Sequence, residues 1–180
     1  MPARVKCGAP GRGGTVDQSQ TGELSASAAR VQRALADCGL ELRVMEMPAA
    51  TRTAAQAAAV VGCEVAQIAK SIVFRAPRSA RHVLVVASGA NRVDTAKVRT
   101  LLGEPLEKAD AAFVREMTGY VIGGVPPLGH ARQPVTFLDR DLLRHEAVWA
   151  AAGTPNALFR LTPGELERAC GGTVADVAED

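Results

Sequence analysis

The chain has 180 residues, 47% of them hydrophobic but only 3% aromatic, and a formal net charge of +2. That length fits one domain with a core of Ala, Val and Leu and is tight for two. The scarcity of aromatic rings argues against an RNA-binding module built on base stacking, and the balanced charge argues against a general nucleic-acid binder while leaving room for a local basic patch.

In chain order, residues 1–24 are rich in Gly, Ser, Thr and Gln without an apolar period, so a flexible tail is expected there and a single domain over 25–180. Within residues 1–14, Arg4, Lys6 and Arg12 are not accompanied by the apolar run of a signal peptide. An organellar transit peptide is an alternative reading, since the first acidic residue is Asp17; a plain tail is the preferred one.

A helix is expected over 27–38, with Val31, Ala34, Leu35 and Cys38 on one face and Gly39 as its stop. Residues 42–47 alternate like a strand that Pro48 ends. Thr53 is placed to cap an Ala-rich helix ending near Gly62. A short helical turn over 65–69 leads into Lys70 and a strand over 71–76. Residues 77–81 read as a turn, and 82–88 are nearly all apolar, the mark of a central strand.

Asp94 and Asp110 are placed to cap helices ending at Gly103 and Gly119. Residues 120–122 read as a strand, followed by a stretch over 123–130 with three glycines and two prolines that excludes regular structure. Strands are expected over 135–138, 147–151, 157–161 and 173–177, with a turn at 153–156. Thr162-Pro163-Gly164-Glu165 reads as a capping box opening a helix to Cys170. Several strands in succession without strict βαβ alternation give an α+β class with a mixed sheet, closed toward a barrel.

Cys7, Cys38, Cys63 and Cys170 form no C-x-x-C pair and no Cys/His cluster, so no metal site and no cofactor are expected, and reduced thiols are the natural reading. No apolar run approaches the roughly 20 residues needed to span a bilayer, so no membrane partner is expected and a cytoplasmic location is.

The common catalytic signatures are missing: there is no phosphate-binding P-loop, no H-E-x-x-H and no G-x-S-x-G around Ser88. A trio of Ser88, His130 and Asp139 could be drawn, but chains of this length offer such trios by chance. Lys70 has two readings. It opens an apolar strand and could meet a phosphate or an ester oxygen as a point charge, but from the residues alone a lysine snorkelling at the surface is the preferred reading. The loop over 123–130 likewise is either a tight corner or a rigid cradle whose backbone N–H groups approach a ligand. His130 beside a glycine is more often a structural hydrogen-bonding residue than a base. Arg75, Arg78, Arg81, Arg92, Lys97 and Arg99 could form a basic rim or a solvated face.

Four blocks carry a resemblance: 67–74 (QIAKSIVF), 87–94 (ASGANRVD), 119–130 (GYVIGGVPPLGH) and 152–156 (AGTPN). Together, in this order and spacing, they resemble the YbaK family, also called the prolyl-tRNA synthetase-associated or INS-like editing domain, from about residue 27 to 177. The resemblance implies a mixed, barrel-like sheet flanked by helices. It also implies a free-standing trans-editing hydrolase, an aminoacyl-tRNA deacylase that removes a wrong small amino acid (Ser-, Thr- or Ala-like) from tRNA.

By the same resemblance Lys70 would hold the tRNA 3′ end, and Gly123 and Gly124 would border the scissile ester. Ser88, Val125, His130, Ala151, Gly153, Thr154 and Asn156 would contact substrate. Mischarged tRNA is the implied partner, with an aminoacyl-tRNA synthetase as a second. The cysteine-editing branch of the family has serine at the position of Ala151, and the alanine-editing branch has histidine in the turn of Gly153-Thr154. This chain has neither, which tilts the expected substrate toward Ser, Thr or another small side chain. The alternative is a non-catalytic tRNA- or synthetase-binding module of the same fold.

Overall fold

A computed structural model describes residues 23–180; most of the expected tail lies outside the described residues. Four of the five α-helices among the described residues begin and end on the signals read above. Helix α1 (Ala26–Asp37) is capped by Ser25, one turn-position earlier than expected, and buries Ala28, Val31 and Leu35. Thr53 caps α2 (Ala54–Val61), Asp94 caps α3 (Thr95–Leu102) and Asp110 caps α4 (Ala111–Thr118), each accepting from the first-turn amides. Helix α5 (Pro163–Cys170) has the full capping box between Thr162 and Glu165.

The strands are β1 (Val44–Glu46), β2 (Ile68–Ala76), β3 (Arg81–Ser88), β4 (Glu107–Lys108), β5 (Val135–Asp139), β6 (Val148–Ala151), β7 (Ala157–Leu161) and β8 (Thr173–Ala175). They join one mixed sheet in the order β1-β7-β6-β2-β3-β5-β8, with β4 added beside β2. The hairpin β2–β3 is antiparallel along its whole length, while β3–β5, β5–β8 and β2–β6 are parallel.

Both faces of β3 are covered, which explains its unbroken apolar run. Leu84 and Val86 belong to the cluster with Val31, Leu35, Leu138 and Leu166, whereas Val83, Val85 and Ala87 belong to the cluster with Val98, Phe137 and Val177. A smaller cluster joins Ala57 and Ala58 of α2 to Ile68 and Leu158.

Three local expectations differ from the structure. Residues 120–122 are not a strand: Tyr120 is buried and donates its hydroxyl to the Gly129 carbonyl at 3.1 Å, while Val121 and Ile122 face outward. Glu107 and Lys108 form a short strand that their polarity conceals. The turn before Lys70 is a 3-10 turn, Val65–Gln67, and β2 begins earlier, at Ile68.

One feature of the sheet creates the site. With β3 along one edge of β2, both β6 and β4 must pair with the other edge. On that second edge β6 meets only Ile68 and Ala69, and β4 meets only Phe74 and Arg75. Between them, from Lys70 to Val73, that edge has no strand partner among the described residues.

Candidate functional site

Two adjoining recesses open along this gap. The smaller, about 230 Å³, is lined by Lys70 and Ser71, by Gly123 and Val125, by Ala151, Thr154 and Pro155, and by residues 51–54 at the head of α2. Its apolar floor comes from Ala57, Ile68, Ala69, Ala157 and Leu158. The larger, about 540 Å³, runs past Ile72, Val93, Ile122, Arg92 and Lys108. Lys70, Ser71, Gly123 and Val125 line both. These four therefore stand at the passage from one recess to the other.

Lys70 is held from behind. Its Nζ donates to the Asn91 carbonyl at 2.7 Å. The Asn91 amide donates in turn to Asp139 Oδ2 at 2.8 Å and Asp141 Oδ2 at 2.9 Å. Asp139 is buried and also accepts from the Ser88 and Asp141 amides, at 3.0 Å each. Burial holds the Lys70 ammonium below the ordinary lysine range, and the Asp139 carboxylate opposes that shift. One of the three Lys70 donors is spent on Asn91, which leaves two for a ligand.

The Gly-Gly loop faces Lys70. Gly123 has φ +89° and Gly153 φ +96°, backbone that side chains rarely adopt. Gly124 donates its amide to Val121 at 3.0 Å and accepts from Gly153 at 2.8 Å, so its polar groups are used within the protein. Gly123 and Val125 line the recesses, and neither amide N–H has an acceptor among the described residues. An anion or a polarised carbonyl between them and Lys70 would meet donors from two sides.

A histidine pair supports the loop from the rear. His130 Nε2 lies 2.8 Å from the Pro126 carbonyl, which can only accept, so Nε2 carries the proton. His130 Nδ1 must then accept from His82 Nε2 at 3.1 Å. His82 is fully buried and its Nδ1 has no partner. Burial, then His130, Arg81 and Arg132, push His82 down to about 4; burial also lowers His130. Both rings are neutral in this arrangement.

Of the residues expected to contact substrate, Val125, Ala151 and Thr154 line the smaller recess with Lys70 and Gly123. Gly124 and Gly153 stand just behind, joined to each other. Ser88, His130 and Asn156 are not in the lining of either recess. Ser88 Oγ donates to Ala66 at 2.8 Å, and the Asn156 amide donates to Met47 at 3.0 Å; those side chains are occupied in holding neighbouring segments together. Of the expected basic rim, Arg92 lines the larger recess but pairs at 3.8 Å with Glu179, and Lys97 is bound to Asp176 and Asp180. Sequence reading missed Thr51, Arg52 and Ser71. Ser71 was next to the noted lysine, but only the sheet pairing reveals that its main chain is free.

Among the described residues no group of His, Cys, Asp or Glu could hold a metal ion, and no helix is long and apolar enough to cross a membrane. Cys38, Cys63 and Cys170 are free thiols.

The fold and site define a small mixed α+β domain whose sheet is split at one edge, with a lysine and a glycine loop facing each other across the opening. The chain belongs to the aminoacyl-tRNA editing domain family, whose model matches residues 48–169. A crystal structure of a candidate trans-editing enzyme for prolyl-tRNA synthetase is 51% identical, with a TM-score of 0.84 over 88% of this chain and 100% of that one. A crystal structure of a hypothetical protein is 36% identical, with a TM-score of 0.77 over 83% of this chain and 99% of that one. The uncharacterized protein YwhH of Bacillus subtilis strain 168 is 37% identical over 123 residues, 68% of this chain and 78% of the relative.

Proposed function

We propose that this protein is a trans-editing deacylase that hydrolyses the ester between tRNA and a wrongly attached small amino acid. The observation that carries this reading is the pair of unequal recesses meeting at Lys70, Ser71, Gly123 and Val125. At about 230 Å³ the smaller lies below the roughly 300–1,000 Å³ of sites for drug-sized ligands, a size that suits an aminoacyl group. The larger has an apolar wall with Lys70, Arg92 and Lys108 against a single carboxylate, Glu179, which suits the terminal nucleoside and its phosphate. The scissile ester would lie at the passage between them.

There the chemistry needs little. The aminoacyl ester is already activated by the neighbouring ribose hydroxyl, so water suffices as nucleophile. Lys70 and the Gly123 and Val125 N–H groups stabilise negative charge as it develops on the carbonyl oxygen. Losing one such donor costs roughly 10²–10³ in rate. Ala57, Ala151, Ala157 and Leu158 set the size limit of the recess. Size alone discriminates a single methylene by about 1–3 kcal/mol, so neighbouring small amino acids are expected to leak through.

The test is deacylation of tRNAs charged with Ala, Cys, Ser, Thr or 2-aminobutyrate, by the wild type and Lys70→Ala side by side. The expected result is release of one or two small amino acids, reduced at least about 100-fold in the variant with the melting temperature nearly unchanged. No release from any charged tRNA, with RNA binding retained, would instead identify a non-catalytic binding module. A fully active Lys70→Ala would remove the lysine from the mechanism.

A further inference from the structure

The main chain of Ser71 is available at the passage, and the strand register shows which way it points. The Gly89 amide donates to the Ile68 carbonyl at 2.7 Å, so the Ile68 polar groups face β3. Antiparallel pairing alternates hydrogen-bonded and non-bonded residues. Lys70, opposite Ala87, and Ile72, opposite Val85, therefore also direct their N–H and C=O groups toward β3. Ala69 and Arg75 point the other way and are met there by β6 and β4. Ser71 and Val73 point the same way as Ala69 and Arg75, into the stretch of edge where no strand lies. The Ser71 hydroxyl is buried without a partner as well. Ser71 is half-buried and lines both recesses, so its unpaired main-chain groups open onto the passage.

We propose that the aminoacyl group of the substrate docks on Ser71 as a one-residue β-bridge. An α-amino acid in extended conformation presents its amine and its carbonyl on one side, as a strand residue does. The amine would donate to the Ser71 carbonyl. The Ser71 N–H would donate to the ester carbonyl oxygen. This is strand addition reduced to a single residue.

Two features favour the arrangement. No carboxylate lines the smaller recess, so an ammonium there has to be held by neutral oxygens. In addition, the Ser71 N–H would reach the ester carbonyl from the strand side, opposite the Gly123 and Val125 amides. The inference rests on the editing reading, because it needs an aminoacyl ligand, and it adds a main-chain donor and a means of recognising the amine that side chains do not supply.

The test is residue-resolved amide hydrogen exchange on the full chain, alone and with 3′-deoxy-3′-(alanylamino)adenosine, whose amide link resists hydrolysis. Alone, Lys70 and Ile72 should be protected, and Ser71 and Val73 should exchange at least about 100-fold faster. With the analogue, Ser71 should slow at least about tenfold while Val73 stays fast. Proline is tolerated where a strand N–H faces an unpaired edge, so Ser71→Pro should fold and lose about 10²–10³ in kcat, whereas Ser71→Ala should lose far less. Equal protection of Lys70 and Ser71 without ligand would overturn the proposal. So would analogue binding that leaves the Ser71 amide unchanged, or full activity of Ser71→Pro. Failure of the analogue to bind, with the alternating pattern intact and no charged tRNA hydrolysed, would bring down the editing reading and the proposal together.

Discussion

Two backbones meet at Gly124. A methyl group there would stand 2.8 Å from both Thr154 Cα and Thr154 N and 2.9 Å from the Gly153 carbonyl carbon. Backbone atoms cannot swing aside as the end of a side chain can, so Gly124→Ala must separate the two loops that frame the smaller recess. A loss of about 1–3 kcal/mol in unfolding free energy is expected, together with a fall in kcat, because the Gly153–Gly124 hydrogen bond is strained. Denaturant unfolding and single-turnover deacylation would measure both; a variant as stable and as active as wild type would show that the loops are not in contact. At this scale the sequence was half legible. Lys70, Gly123, Val125, Ala151 and Thr154 were all named and all line the recess. Ser88, His130 and Asn156 carry equally reactive groups, yet those groups are bound to Ala66, Pro126 and Met47. Composition cannot reveal which hydrogen bonds are already spent.

Helix boundaries were the most readable elements, because a cap is a contact between residues two or three apart in the chain. Thr53, Asp94, Asp110 and Thr162 cap where they were expected to. Thr162→Ala removes the hydroxyl that accepts from Glu165 and should cost about 1 kcal/mol, or roughly 2–4 °C in Tm for a chain of this size. Activity should be untouched, since α5 lines neither recess. Calorimetry decides; an unchanged Tm would mean that the box adds nothing beyond solvation. Strands were less readable. Residues 120–122 have the composition of a strand, but the Tyr120 hydroxyl closes a loop on Gly129. Glu107 and Lys108 have no strand pattern and become one because Arg75 and Phe74 offer an edge. In both cases a partner distant in sequence overrode local preference.

For the molecule as a whole, the buried His82 couples folding to pH. Its folded value, about 4, lies below the roughly 6.5 of an exposed histidine. The unfolded chain therefore binds more protons between those values. Stability is complete above about pH 6.5 and falls as the pH drops toward 4, by at most about 3 kcal/mol from this residue. Urea unfolding at pH 7.5, 5.5 and 4.5 should show the decline, and His82→Phe should flatten it; an equal decline in the variant would assign the effect to other groups. Acid would also break the His82–His130 hydrogen bond, since a proton on His130 Nδ1 removes the acceptor that His82 needs.

Legible in the sequence alone were the α+β class, the ends of α2 to α5, the doubly buried central strand and, through four short blocks, the family. Each of these depends on neighbours in the chain or on a pattern long enough to be unmistakable. Tertiary structure alone decided that β6 and β4 reach only the two ends of one edge of β2. That gap exposes Ser71, sets Lys70 opposite Gly123 and Val125, and forms the passage between the recesses. The reason is physical: strand pairing joins groups far apart in sequence, and an unpaired stretch of edge is a property of the assembled sheet, which no single segment encodes.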